Sequence, residues 1–168
     1  MNWIVRHFRR HLERRPWDFC WRIGLESTLV SLAAAVLLSI FINEPHKEHM
    51  EDWPVAALIV FLVLLGPPLE TLLFQAFPIF IVRLLRGSMW TQVLVSATIF
   101  AAGHFMRDIV TGAAAGMVGG SYLAFAYVRW RRISKRHAFW ITTGIHCINN
   151  GIAVLLIVIA RNWGPGNS

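Results

Sequence analysis

Glu70 in GPPLETLLFQ, His104 in FAAGHF, and His146 with Asn150 in GIHCINN set a carboxylate, two imidazoles and an amide inside runs otherwise apolar enough to cross a bilayer. An ionisable side chain in hydrocarbon is expensive unless it is paired or faces a wet cavity, so such groups on three separate runs call for a functional explanation. Their types suit hydrolysis. A desolvated carboxylate can serve as general base, and a His and an Asn four residues apart project from one helical face and can donate to a developing oxyanion. Each group also has an ordinary use, since a lone intramembrane His can bond a backbone carbonyl and a lone Asn can bridge helices. A protonated Glu70 could likewise be a structural hydrogen bond.

The surrounding composition makes the bilayer the solvent. Of 168 residues, 56% are hydrophobic, which exceeds what a soluble domain carries. The chain is read as an all-α, polytopic membrane helix bundle of about five spans, with no room for a separate soluble domain. The net charge of +7 is clustered, with Arg6, Arg9, Arg10, Arg14 and Arg15 near the start and Arg129, Arg131, Arg132, Lys135 and Arg136 in a later loop. Clusters that flank apolar runs are juxtamembrane anchors facing the cytoplasm rather than a nucleic-acid surface. Cys20 and Cys147 do not suggest a disulfide framework, and Cys147 reads as core packing.

Residues 1–22 are a basic, aromatic leader suited to a helix lying at the interface, with Trp3, Trp17 and Trp21 at headgroup depth. A single membrane-embedded domain follows over 23–160, and 161–168 form a short tail. The first span runs from about Ile23 to Ile42 and is retained, because no small-residue cleavage site follows it. An acidic loop holding Glu44, Glu48, Glu51 and Asp52 comes next. The run Val55 to Leu85 is a single crossing interrupted at Gly66-Pro67-Pro68, where two residues without amide donors should end or kink the helix and start a new one near Pro68. Further spans cover about Trp90–Phe105, Ile109–Val128 and Phe139–Ala160, and Met106-Arg107-Asp108 turns between the first two of these. Alternating sides from a cytoplasmic N-terminus then puts every strongly basic loop on one side. Gly112-x-x-x-Gly116-x-x-x-Gly120 lets helices approach closely, for internal packing rather than dimerisation.

This topology lets the polar residues meet. At about 1.5 Å rise per residue, Glu70 and His104 each lie about 24 Å from the inner ends of their helices, and His146 and Asn150 about 13 and 20 Å from theirs. One pocket can hold all four.

The motifs Pro68-Leu69-Glu70-Thr71-Leu72-Leu73-Phe74-Gln75, Phe100-x-x-x-His104 and His146-x-x-x-Asn150 resemble, in order and spacing, those of the CAAX protease and bacteriocin-processing family of intramembrane endopeptidases, also called the abortive-infection family. The resemblance covers about residues 55–160 and includes the Gly-rich fourth span. It implies that Glu70 and His104 activate a water, and that His146 and Asn150 stabilise the oxyanion formed when the water attacks a peptide carbonyl. Phe100 is carried over as a supporting residue. The family's first motif is usually Glu-Glu-x-x-x-Arg, whereas this chain has Thr71 and Gln75 in place of the second Glu and the Arg. Losing both charges leaves no orphan, and Thr71 with Gln75 can replace the ion pair by a neutral hydrogen bond.

Glu70, His104 and His146 are also acceptable zinc ligands, and an open fourth position would make a catalytic metal site. Asn is a poor zinc ligand, so a water activated without any cofactor is the preferred chemistry and zinc the alternative. The expected activity is hydrolysis of a peptide bond within or near the inner leaflet of a bacterial plasma membrane, with a membrane-associated peptide or protein as partner and no nucleic acid. Two rivals stand beside it. One is a catalytically silent family member acting as an immunity or interaction protein; the other is a small transporter with a proton relay, which the few spans and missing internal repeat disfavour.

Overall fold

The computed structural model describes residues 15–43 and 53–163, and these are helical with no strand among them. The leader up to residue 14, the acidic loop over 44–52 and the tail beyond 163 lie outside the described residues. Five helices follow one another: α1 Pro16–Phe41, α2 Val55–Leu84, α3 Met89–Phe105, α4 Ile109–Arg131 and α5 Lys135–Trp163. Four of them are long and apolar enough to cross a membrane. At 17 residues α3 falls at the short end of what a crossing needs. The chain is therefore an integral membrane helix bundle, in agreement with its sequence. Residues 16–22 of the leader are continuous with α1 rather than set apart from it.

Local chemistry sets the boundaries. Pro16 opens α1, where its missing amide is an orphan in any case. Ser88 caps α3 by accepting from the Thr91 amide at 3.1 Å, and Asp108 caps α4 by accepting from the Thr111 amide at 2.6 Å and hydroxyl at 2.7 Å. Arg86 ends α2 in the left-handed region at φ 58°, and the Gly87 amide closes that turn on the Val82 carbonyl at 2.8 Å.

Of the two outcomes expected at Gly66-Pro67-Pro68, an end or a kink, the helix does not end: it continues as a single crossing. Its winding is interrupted there, with widened i→i+5 turns over Ile59–Leu65, a regular stretch over Gly66–Glu70 and widened turns again over Thr71–Ala76. A proline ring clashes with the carbonyl one regular turn back, and widening the turn makes room for it.

Helix α5 sits centrally, packing against α1, α2 and α4, while α3 fills the gap between α2 and α4. The fully packed core gathers Phe19 and Ile23 of α1, Ile79 of α2, Phe100 of α3, Leu123 of α4 and Ile145 of α5. It lies toward the end of the bundle that carries the basic cluster 129–136. Lipid offers apolar surface as readily as a neighbouring helix does, so close approach through small residues has to hold the interfaces. The glycine series of α4 does this against α3. A Cβ on Gly116 would stand 2.8 Å from Ala101 Cα and one on Gly120 2.7 Å from Phe100 Cδ1, while one on Gly112 would collide with the Phe105 ring. The series is used for internal packing, as its spacing suggested.

Candidate active site

Helix α3 presents Phe100 and His104 toward α5, with Gly116 and Gly120 of α4 behind them. Phe100 is 2% exposed and lies between the two histidines, its ring centroid 4.3 Å from that of His104 and 5.6 Å, edge on, from that of His146. Phe74 of α2 packs against its other side at 5.7 Å. The His104 Nδ1 is 2.9 Å from the Phe100 carbonyl. A carbonyl only accepts, so in the neutral ring the hydrogen sits on Nδ1 and Nε2 keeps its lone pair.

His146 is 3% exposed. Its Nε2 lies 3.5 Å from Glu70 Oε2, and its Nδ1 has no hydrogen-bond partner among the described residues. The Glu70 side chain, 33% exposed, turns back over Gly66. A Cβ on Gly66 would stand 3.5 Å from Glu70 Oε1 and 2.8 Å from the Phe61 carbonyl, so the position favours glycine.

The two prolines before Glu70 leave a precise deficit. The Gly66 amide is spent on the Phe61 carbonyl, and Pro67 and Pro68 have no amide to give. The Leu62 carbonyl loses its donors at Gly66 and Pro67, and the Val63 carbonyl its donors at Pro67 and Pro68. An unsatisfied carbonyl in hydrocarbon costs several kcal/mol. Helix α5 supplies both replacements: Asn150 Nδ2 donates to the Leu62 carbonyl at 2.7 Å and Cys147 Sγ to the Val63 carbonyl at 3.1 Å. Asn150 thus has a structural bond on one amide hydrogen and keeps the other.

A cavity of about 200 Å³ lies against His104, His146 and Asn150. Its far wall comes from α1, through Thr28, Ser31, Leu32 and Ala35. Glu70 is not among the lining residues and meets the edge of the cavity at His146. Helix α1 is tied to α5 by the Asn149 amide, 2.9 Å from Thr28 Oγ1 and 3.1 Å from Ser27 Oγ.

Thr71 and Gln75 are fully buried, yet neither the Thr71 hydroxyl nor the Gln75 amide has a hydrogen-bond partner among the described residues. The neutral hydrogen bond expected between them is not formed. Zinc was the alternative cofactor. No three His, Cys, Asp or Glu among the described residues gather as a metal ion requires, and Glu70, His104 and His146 do not fit one in this arrangement.

The model of the type II CAAX prenyl endopeptidase Rce1-like family matches residues 52–152, more than half of the chain. The chain belongs to this family. Membership brings a CAAX-type intramembrane protease kind of function, and the match contains Glu70, Phe100, His104, His146 and Asn150. Neither a curated protein nor a solved structure matches the chain. Helix α1 lies outside the stretch this chain shares with its family, although it walls the cavity.

Sequence reasoning missed two things here. Cys147 was read as packing, and Glu26, a further intramembrane carboxylate, was passed over; it accepts from the Tyr122 hydroxyl at 2.9 Å. The role of Cys147 was open to detection: two prolines in hydrocarbon call for two outside donors, and Cys147 shares a helical face with Asn150.

Proposed function

We propose that this chain is an intramembrane endopeptidase that hydrolyses a peptide bond of a membrane-associated substrate with water activated by Glu70 and His104. The carrying observation is the 3.5 Å approach of Glu70 Oε2 to His146 Nε2 beside a cavity that His104, His146 and Asn150 line. The water oxygen attacks the substrate carbonyl carbon and gives its proton to the Glu70 carboxylate. His104 holds the water through its Nε2 lone pair. Negative charge gathers on the carbonyl oxygen, where His146 and the second amide hydrogen of Asn150 receive it. When the carbon–nitrogen bond breaks, the proton passes from Glu70 to the leaving amine. The family supports a substrate carrying a prenylated C-terminal CAAX tail, and the charge pattern supports an N-terminus in the cytoplasm; the membrane proposed is a bacterial plasma membrane.

The test is cleavage of a fluorogenic, farnesylated CAAX peptide by protein reconstituted in vesicles, with an unprenylated peptide alongside. Wild type should cut where Glu70→Ala and His104→Ala do not. If wild type cuts nothing that these variants leave intact, the hydrolytic reading fails. A silent member acting as an immunity or interaction protein would keep its biological effect in both variants. The unpartnered Thr71 and Gln75 are the observation that speaks for that second reading.

A further inference from the structure

We infer that Cys147 is a positioning residue for Glu70, resting on the hydrolytic reading above. The Val63 carbonyl has lost both possible helical donors to Pro67 and Pro68, and the Cys147 thiol at 3.1 Å takes their place. Asn150 does the same one residue earlier, at 2.7 Å from the Leu62 carbonyl. The two side chains are three residues apart on α5 and grip consecutive carbonyls of α2, and His146, the neighbour of Cys147, contacts Glu70 itself. The clamp therefore holds about two turns of α2, from Leu62 through the prolines to Glu70, against the helix that carries His146. Without the thiol, the widened winding of Ile59–Leu65 has no donor at Val63, and this stretch is free to rotate and carry the Glu70 carboxylate away from His146. Cys147 touches no reacting atom; it acts through the backbone that leads to Glu70.

The experiment has a spectroscopic arm and a kinetic arm. The chain contains two cysteines, so in a Cys20→Ala background the infrared S–H stretching band reports Cys147 alone. The band should lie at the lower frequency of a donating thiol. It should move to the free-thiol position in Pro67→Ala, where a new amide can reach the Val63 carbonyl four residues back. In the vesicle assay with the farnesylated peptide, Cys147→Ala should lower kcat on the order of tenfold with KM little changed. Cys147→Ser, which keeps a donor, should restore kcat, and Cys147→Ala should cost much less when combined with Pro67→Ala. A free-thiol band in the Cys20→Ala protein overturns the inference, as does Cys147→Ala cutting like wild type or Cys147→Ser failing like Cys147→Ala. If wild type does not cut at all, the hydrolytic reading falls while the band still reports whether the clamp exists.

Discussion

The Glu70 carboxylate and the His146 imidazole meet at 3.5 Å although they come from helices separated in the chain by two others. Glu70→Gln keeps the shape of the side chain and its place over Gly66 but removes its basicity. Cleavage should fall by about 10²–10⁴-fold, with elution and thermal unfolding in detergent unchanged. A glutamine variant that cuts at the wild-type rate removes Glu70 from the chemistry.

Asn150 should behave unlike a residue that serves only the transition state, because its amide also satisfies the Leu62 carbonyl at 2.7 Å. Asn150→Ala should lower stability by about 1–3 kcal/mol through that bare carbonyl, in addition to abolishing cleavage. Thermal unfolding of the variant in detergent decides it, and an unaltered melting temperature would contradict the structural half of the claim.

Gly116 faces backbone rather than a yielding side chain, since a Cβ would stand 2.8 Å from Ala101 Cα and 3.0 Å from His104 Cβ. Gly116→Ala should cost about 1–3 kcal/mol by overpacking, and His104 would be displaced with α3. Both unfolding and cleavage should suffer. A variant that melts higher than wild type would show that α3 and α4 are looser than described.

Thr71 buries a hydroxyl that has no hydrogen-bond partner among the described residues. Thr71→Val keeps the branched shape and removes the stranded group, so stability should rise by about 1 kcal/mol or more with cleavage retained. Loss of cleavage with a normal melting curve would instead mean that the hydroxyl takes part in the reaction.

Metal chelation should leave cleavage intact, because no three potential ligands gather among the described residues. Metal analysis of purified protein, read with the rate in a strong chelator, checks this; a stoichiometric zinc whose removal stops cleavage would reverse it.

The spans and the meeting of the polar residues were legible because burying a charge in hydrocarbon is so costly that Glu70, His104 and His146 stand out on inspection. The single crossing of α2 and its interruption at the prolines were legible too, but not how the chain absorbs that interruption. Proline chemistry was applied as it holds in water, where a broken helix can hydrate its ends; in a bilayer the chain keeps its helix and borrows donors from α5. The nearness of Glu70 to His146 depends on how far α2 is wound over Ile59–Leu65 and Thr71–Ala76, and spacing along the sequence does not encode that. The unpaired state of Thr71 and Gln75 was hidden for the same reason.

The wall that α1 gives the cavity separates two properties that family comparison treats as one. A chain trimmed to residues 52–152 would keep every motif and lose Thr28, Ser31, Leu32 and Ala35, leaving His104 and Asn150 open to acyl chains. Relatives sharing the motifs but differing in their first helix would inherit the same chemistry and admit different guests.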